Sequence, residues 1–303
     1  MTEHIDHDVI VVGGSFAGLS AAMQIARARR RVLVVDAGRP RNRFAAHSHG
    51  FLGQDGRAPA EIIDIARAQV LAYPTAAFVQ DEAIAAEATG DGFLIRLASG
   101  ERVQASRLVL TTGVEDELPS VSGLAERWGR TVLHCPYCHG YEIADGMLGV
   151  LATMPGSVHQ ALLVADWGKV VLFAHDAFTL DDRQRADLDA RGVRIEYTPV
   201  RSIATHADGH ELVHLADGRD VPVTALFVAT RTRPSSPLAA QLGCAFDEGS
   251  QGPIIRIDAK QATTVAGVFA AGDAASAMSN ATLASAAGVM AGVFAHQSLA
   301  IPD

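Results

Sequence analysis

The N-terminal segment joins a short apolar strand, a glycine-rich turn and a helix, and no other feature restricts the fold as strongly. Residues 8–12 are an apolar, β-branched run, and a turn of small residues follows at 13–18. A helical stretch over 19–30 leads into a second apolar strand, 31–35, which ends at Asp36. This order of elements predicts a βαβ unit within an α/β fold.

The turn of this unit predicts a dinucleotide-binding site. A helix N-terminus presents backbone N–H groups to a pyrophosphate, and close approach requires small residues. An acidic residue about 20 positions past the turn can bond ribose hydroxyls. The turn departs from G-x-G-x-x-G at its middle glycine, and a purely structural tight turn is the alternative interpretation. The residues predicted to contact the dinucleotide here are Gly13, Gly14, Ser15, Phe16, Ala17, Asp36 and Ala37.

A C-x-x-C pair, Cys135 and Cys138, predicts a redox-active dithiol. Such a pair tends to lower the pKa of its first thiol, which supplies the thiolate needed for disulfide exchange. Zinc is the alternative, but it would need a second pair of ligands at finger spacing. The flanking His134 and His139 are too close to the pair, and Cys244 is isolated. The sequence therefore predicts no metal.

Composition limits the possible partners and surroundings. With 303 residues, of which 49% are hydrophobic, the chain can form two domains. Three cysteines are too few for a disulfide framework, and residues 1–8 are polar and acidic, unlike a signal peptide. We therefore expect a cytoplasmic protein. No apolar run reaches the roughly 18 residues of a membrane span, and a net charge of -9 disfavours nucleic acid and anionic membranes.

Two further segments resemble flavin-binding motifs of the flavoproteins that have two dinucleotide domains. Residues 267–273 form an apolar strand that ends at Gly272 and Asp273, and a helix of small residues follows at about 282–296. A second strand ends at Thr111, Thr112 and Gly113. The resemblance implies that Asp273 bonds the ribityl chain of FAD. Chance similarity in an alanine-rich chain is the alternative.

With the C-x-x-C pair placed after these first motifs, residues 8–300 resemble the low-molecular-weight thioredoxin reductase family. The resemblance implies two Rossmann-like, three-layer ββα domains, of which the FAD domain is discontinuous. The implied pieces are 1–115 and 233–303 for FAD, with 116–232 as the central domain that carries the dithiol. It also implies a homodimer, with Cys138 as the sulfur near the flavin and Cys135 as the sulfur that exchanges with substrate.

The central domain departs from this family where NADPH would bind. Residues 152–157 stand where the reductases have a G-x-G-x-x-A turn, and both leading glycines are missing. Ala152 and Met154 would fill the space that a pyrophosphate needs, and Pro155 lacks an N–H donor. His175 and Asp176 stand where NADPH-dependent members carry arginines for the 2′-phosphate. A divergent loop that still binds nicotinamide is the alternative.

The residue after the dithiol favours a subgroup of the family. The reductases usually have C-x-x-C-D-G, whereas here His139 follows Cys138. This C-x-x-C-H-G sequence resembles the gliotoxin-type and holomycin-type dithiol oxidases. A histidine there can take the proton of a substrate thiol as a general base. A helix-start residue that bonds backbone is the alternative for His139, and the role of His134 is open.

The loop over residues 38–56 is similar to the same oxidase-like flavoproteins. The similarity implies that Arg41 and Asn42 reach the FAD phosphates and ribityl hydroxyls, since arginine donates two bonds to phosphate. His47 and His49 are candidates for the substrate side of the flavin. A solvated basic loop is the alternative for the arginines. Ala83 is placed near the adenine by its position in the family alone.

The sequence as a whole predicts an FAD-dependent dithiol oxidase that forms a disulfide in a small-molecule or peptide dithiol, with O2 as acceptor and no NADPH. A reductase that uses NADPH or ferredoxin is the first alternative. A flavin redox sensor without turnover is an alternative of another class. In the central domain, residues 194–206 and 210–215, joined at Asp208 and Gly209, predict a hairpin.

Overall fold

The computed structural model describes residues 6–206 and 209–301, and the chain divides into two compact units. The first unit is Met1–Arg43, Ala58–Glu115 and Thr232–Asp303, and the second is Phe44–Arg57 and Asp116–Arg231. Residues 1–5, on which the view of the N-terminus partly depended, and Asp208, in the predicted hairpin turn, lie outside the described residues.

The division differs from the sequence-based boundaries in one segment. We expected residues 1–115 to be a single piece of the first unit, whereas Phe44–Arg57 belongs to the second. The reason is contact, since Phe44 packs on Gly129 and His49 lies beside Glu142. The boundary also shifts by one residue at Thr232, which we expected in the central domain and which falls in the first unit.

The helices and strands follow one another along the chain in α/β order. The first half contains β1 His7–Val12, α1 Phe16–Arg27, β2 Val32–Asp36, α2 Pro59–Leu71, β3 Ala76–Gln80, β4 Ala83–Ala88, β5 Phe93–Leu97, β6 Arg102–Leu110, β7 Val114–Glu117, β8 Val132–Leu133, α3 Pro136–His139 and β9 Met147–Leu151. The second half contains α4 Gly156–Val164, β10 Lys169–Phe173, α5 Asp182–Ala190, β11 Arg194–Glu196, β12 Val200–Thr205, β13 Glu211–Leu215, β14 Asp220–Val223, β15 Ala225–Val228, β16 Arg231–Pro234, α6 Leu238–Gln241, β17 Phe246–Glu248, β18 Pro253–Ile255, β19 Val268–Ala270 and α7 Ala281–Ala300. Two short 3-10 helices, Ala125–Arg127 and Gly272–Ala274, complete the set among the described residues.

The first unit is built on a parallel sheet that is extended by an antiparallel meander. Strands β3, β2, β1 and β6 lie side by side and parallel, and β19 also pairs with β6. The N-terminal residues of β6, from Arg102 to Ala105, pair with β5, and β5 pairs with β4. Both pairings are antiparallel. Strand β1 lies inside the sheet, between β2 and β6. Its residues Val9–Val12 are apolar and buried, as expected for a strand that is covered on both faces.

Helix α7 packs on α1 through two glycines. A Cβ added at Gly288 would lie 2.1 Å from the carbonyl oxygen of Ala17, and one added at Gly292 would lie 2.5 Å from that of Ala21. By length and mean hydropathy α7 is also apolar enough to cross a membrane. Core helices of globular proteins pass the same test, and α7 is packed against α1 within the first unit.

The second unit contains a parallel sheet and a separate antiparallel sheet. The parallel sheet has the order β11-β10-β9-β15-β8, and β12, β13 and β14 form the antiparallel sheet. The predicted hairpin strand over 194–206 is wrong in its first part, because β11 pairs in parallel with β10 and only β12 pairs with β13. Pro199, which has no N–H to donate to a ladder, lies between the two strands.

Candidate functional site

The glycine turn of the first unit is as tight as a dinucleotide turn must be. Gly13 has a φ of +105°, and a Cβ there would lie 2.3 Å from the carbonyl oxygen of Thr111. Ser15 precedes α1 in an extended conformation, and its side chain makes no capping hydrogen bond. The first N–H groups of α1, beginning at Phe16 and Ala17, therefore have no side-chain cap from Ser15 and are suited to an anionic ligand.

Residues at the ends of neighbouring strands meet at this turn. The backbone N–H of Gly14 donates to Asp36 Oδ1 at 2.9 Å. The hydroxyl of Thr111 lies 2.9 Å from the carbonyl oxygen of Val12 and 3.0 Å from that of Gly13, so it joins the end of β6 to the end of β1. The carboxyl ends of parallel strands form the ligand-binding edge of such a sheet.

Arg41 and Asp273 are brought to the same edge. Arg41 Nη1 donates to Asp273 Oδ2 at 3.0 Å and to Ser279 Oγ at 2.6 Å. Gly272 has a φ of +73°, and a Cβ there would lie 3.0 Å from the Cβ of Ala17 in the first turn of α1. The structure thus brings Asp273 near the glycine turn, and it adds Ser279, which the sequence analysis did not identify.

This arrangement fits FAD. An uncapped helix start and glycines without room for a Cβ suit the pyrophosphate, while the two carboxylates suit sugar and ribityl hydroxyls. Gly113 also has a positive φ, +71°, as a tight turn after β6 requires. Ala83 instead begins β4 and is buried in the hydrophobic core opposite Leu97. The cofactor contacts of all these residues, and those of Ala37, Asn42, Ala83 and Thr112, stay predictions.

The dithiol lies at the start of α3 in the second unit. Cys135 and Cys138 form a disulfide with their Cα atoms 5.3 Å apart. Pro136 occupies the first turn of the helix, where its missing N–H removes no helical bond. Tyr137 packs edge-on against Trp167, with ring centroids 5.5 Å apart, and it is 70% exposed. The short turn therefore presents the disulfide beside an exposed aromatic side chain.

His139 has the properties of a neutral base beside the disulfide. Its Nδ1 is buried without a hydrogen-bond partner among the described residues. Burial lowers the pKa of His139 from 6.5, against smaller raising effects of the Cys135 backbone and the Glu142 carboxylate. The imidazole is therefore neutral at pH 7. The ring of His134 is held differently, since its Nδ1 lies 3.4 Å from the carbonyl oxygen of Val228.

His49 also lies in the second unit, in a pair with an acid. Its Nδ1 is 3.4 Å from Glu142 Oε1 and 3.7 Å from Asp55 Oδ1. The sequence analysis gave neither carboxylate a role, although Glu142 stands only four residues after Cys138. In the described part of the chain, no cluster of three or more His, Cys, Asp or Glu residues could hold a metal ion.

The turn between β9 and α4 has a side chain that accepts its backbone N–H groups, unlike the turn between β1 and α1, where Ser15 makes no capping hydrogen bond. Ser157 is fully buried, and its Oγ accepts from the backbone N–H of Thr153 at 3.1 Å and of Met154 at 3.4 Å. Pro155 lies at the helix start and has no N–H. A side chain of the protein thus occupies the donors that a pyrophosphate would need.

The end of β10 is also unlike a nucleotide site. His175 and Asp176 have φ values of +50° and +52°, which are uncommon for residues other than glycine. The Nδ1 of His175 accepts from the backbone N–H of Val200 at 3.0 Å. The ring is therefore used in a bond to the backbone, and the next residue carries a negative charge that would repel a phosphate.

Comparisons with known proteins identify one family. Residues 7–288 match the pyridine nucleotide-disulphide oxidoreductase family. Thioredoxin reductase tcpT of Claviceps purpurea is 33% identical, with 96% of this chain and 94% of that protein covered. Thioredoxin reductase sirT of Leptosphaeria maculans is 31% identical, with 94% and 92% covered.

Two crystal structures are similar over almost the whole chain. An oxidoreductase from Agrobacterium tumefaciens superposes with a TM-score of 0.94 at 47% identity and covers 99% of this chain and 100% of its own. The structure of HlmI superposes with a TM-score of 0.91 at 40% identity, with 97% and 92% covered. Sequence and structure thus give the same relationship.

Proposed function

This chain belongs to the pyridine nucleotide-disulphide oxidoreductase family, and from this we propose that it is an FAD-dependent dithiol oxidase. It is a thioredoxin reductase-like oxidoreductase, and its cofactor is FAD. The finer proposal is that it closes a disulfide in a small-molecule or peptide dithiol, with molecular oxygen as acceptor and without NADPH. We also propose a cytoplasmic homodimer.

The observation that carries this proposal is the occupied turn of the second unit. Ser157 accepts the N–H groups of Thr153 and Met154. A pyrophosphate that came to this turn would have to displace a buried hydroxyl, and it would find no donor at Pro155. The bond from Val200 to His175 and the charge of Asp176 add a second, separate obstacle to NADPH. In the proposed reaction, electrons therefore reach the flavin through the dithiol.

The protein residues have distinct roles in the proposed reaction. A substrate thiolate attacks Cys135 Sγ, the Cys135–Cys138 bond breaks, and Cys138 leaves as a thiolate. The second substrate thiol attacks the substrate sulfur of the mixed disulfide, so a substrate disulfide forms and Cys135 leaves as a thiolate. In this proposal His139, which is neutral at pH 7, takes the thiol proton. Bound FAD supplies the transfer of two electrons from the dithiol to oxygen, which yields hydrogen peroxide.

Anaerobic reduction with two donors tests the proposal. The yellow protein is mixed with NADPH in one series and with dithiothreitol in another, and the loss of flavin absorbance is followed. We expect dithiothreitol to bleach the flavin and NADPH to leave it oxidised. In air, dithiothreitol should drive oxygen uptake with peroxide release, and Cys135→Ser should lose both. Rapid bleaching by NADPH would refute the proposal.

The reductase direction is the second candidate, and the names of the relatives favour it. In that direction a donor such as ferredoxin reduces the flavin, and the dithiol then cleaves a disulfide. Anaerobic reduction by photoreduced ferredoxin, coupled to cleavage of a disulfide, would identify this activity. A redox sensor without turnover would instead show the same thiol-dependent oxygen uptake in Cys135→Ser as in the unmodified protein.

A further inference from the structure

The substrate of the proposed oxidase is covalently attached to the protein during turnover. A substrate thiolate attacks Cys135 and forms a mixed disulfide before the second thiol closes the product. While this bond exists, the rest of the substrate lies against the side chains next to the Cys135 sulfur. Those side chains therefore contribute to the choice of substrate.

Tyr137 is one of the two residues between the reactive cysteines. It lies in α3, directly before Cys138. The Cα atoms of Cys135 and Cys138 are 5.3 Å apart, and the backbone N–H of Cys138 donates to the Cys135 carbonyl oxygen at 3.2 Å, which closes the turn. A substrate attached to either sulfur is therefore held next to Tyr137.

The ring of Tyr137 is held in place by Trp167. The two rings meet at an interplanar angle of 89°, with their centroids 5.5 Å apart. Trp167 is fixed in turn, since its backbone N–H donates to the Val164 oxygen at 3.0 Å and its carbonyl oxygen accepts from the Asp145 N–H at 2.8 Å. A Cβ added at Gly140 would lie 2.8 Å from Trp167 Cδ2, so the indole packs directly on the backbone after α3. The tyrosine ring is therefore preorganised.

Trp167 leaves at least one face of the Tyr137 ring open. In an edge-to-face pair, one ring contributes its edge and the other ring a single face. Trp167 therefore contacts either an edge or one face of the tyrosine ring. Tyr137 as a whole is 70% exposed, which leaves a large aromatic surface in water beside the disulfide. Such a surface gains free energy when a flat apolar ring stacks on it.

The charges in this part of the chain favour an uncharged substrate. Residues 134–147, which contain the dithiol turn and the loop after it, include Glu142 and Asp145 but no lysine or arginine. An acidic peptide thiol such as glutathione would find no cation in this segment, and the two carboxylates would repel it. The segment therefore suits a neutral ring better than an acidic peptide.

We propose, on the basis of the oxidase function proposed above, that Tyr137 is a specificity-determining residue and that the substrate is a small, uncharged dithiol carried on a flat ring. The substrate ring stacks on the open face of Tyr137 while one of its sulfurs is bonded to Cys135. Stacking limits the positions that the second thiol can take before it attacks the mixed disulfide. An aliphatic dithiol undergoes the same exchange but gains nothing from the tyrosine ring.

Two dithiols that close rings of the same size test this role. The aromatic 1,2-benzenedimethanethiol and the aliphatic dithiothreitol both oxidise to six-membered cyclic disulfides. The concentration dependence of the anaerobic bleaching rate gives an apparent dissociation constant for each. We expect Tyr137→Ala to bind the aromatic dithiol about tenfold more weakly than the unmodified protein, and to bind dithiothreitol equally well.

Two control variants accompany Tyr137→Ala. Tyr137→Phe keeps the aromatic face and should bind both dithiols as the unmodified protein does. Tyr197 is also an exposed tyrosine of the second unit, and it follows β11. Tyr197→Ala should leave both apparent dissociation constants unchanged.

The outcomes separate the role of Tyr137 from the oxidase proposal. If neither dithiol bleaches the unmodified protein, the oxidase proposal fails, and the substrate assignment fails with it. If both do, and Tyr137→Ala binds both as the unmodified protein does, only the role of Tyr137 is wrong. An equal weakening with both dithiols shows that Tyr137 holds the turn and also overturns the role. If Tyr137→Ala does not fold or retain FAD, Tyr137→Leu, which is apolar but has no aromatic face, decides by the same comparison.

Discussion

The hydroxyl of Ser157 accepts the backbone N–H groups that a pyrophosphate at this turn would need. Ser157 itself is fully buried, and its Oγ accepts two backbone N–H groups of the turn before α4. Ser157→Ala removes the acceptor, and the two donors then have no partner in the turn. We expect the free energy of unfolding to fall by about 1–3 kcal/mol. The shift of the urea unfolding midpoint measures this loss, and the bleaching assay should still show no reduction by NADPH.

A matched control separates this effect from the loss of a hydroxyl in general. Ser250 is an exposed serine of the loop before β18. Ser250→Ala should change stability by less than about 0.5 kcal/mol, as surface substitutions usually do. Equal midpoints for the two variants would contradict the assigned role of Ser157.

As the proposed base, His139 should determine the pH dependence of the first chemical step. Burial lowers its pKa below 6.5, so the neutral base persists at pH 6.5 and is lost only as the pH falls through the lowered value. We expect the anaerobic bleaching rate with dithiothreitol to decrease on that acid side. His139→Gln should slow bleaching by about 10²–10⁴-fold and remove this decrease. His159→Gln, at an exposed position of α4, is the control and should leave both unchanged.

The positions of site residues were predictable where they depend on local sequence. Gly13 and Asp36 could be found because a strand, a turn and a second strand fix their spacing, and the structure joins their ends as expected. Ser279 and Glu142 could not be found in this way. Their partners, Arg41 and His49, are distant in sequence, so only the folded chain shows the contacts.

At the scale of elements, the contact of α1 and α7 depends on glycine. A Cβ at Gly288 would lie 2.1 Å from a backbone oxygen of α1, and backbone cannot move aside as a flexible side chain can. Gly288→Ala should therefore push the helices apart and lower stability by about 1–3 kcal/mol. Thermal unfolding and FAD content measure the effect. Gly90→Ala, where the added Cβ meets nothing within 4 Å, should be close to neutral, and equal losses for both variants would contradict the packing argument.

Element types were easier to predict than element boundaries. The first helix was expected over 19–30, but it begins at Phe16 and ends at Arg27. Its end is set by backbone conformation, since Arg29 has a φ of +62°. In the second unit, the expected strand over 194–206 became β11 and β12 in different sheets. Apolar periodicity identifies a strand, but it does not identify the neighbour with which that strand pairs.

At the scale of the whole molecule, the predicted family and cofactor are confirmed. The boundary between the two units could not be predicted from the sequence and was found only in the structure. Flavin motifs at both ends of the chain predicted a discontinuous first unit, and the first unit does combine segments from both ends of the chain. The segment Phe44–Arg57 follows the first motif in sequence but packs in the second unit. Its placement depends on contacts such as that of Phe44 with Gly129, and no local pattern indicates them.

The proposed exclusion of NADPH at two places in the second unit leads to a prediction for grafted variants. Ala152→Gly with Met154→Gly opens the turn. It leaves the repulsion of the 2′-phosphate by Asp176 and the hydrogen bond that the His175 ring accepts from the Val200 N–H. His175→Arg with Asp176→Arg supplies bidentate phosphate donors, but it leaves the turn filled. Neither pair alone should make NADPH bleach the flavin faster than in the unmodified protein. The four changes together, with Ser157→Ala, should give measurable anaerobic bleaching, because both ends of the nucleotide then have room and donors. Fast bleaching by either pair alone would show that the other end contributes little to exclusion, and the loss of NADPH would then have a single cause.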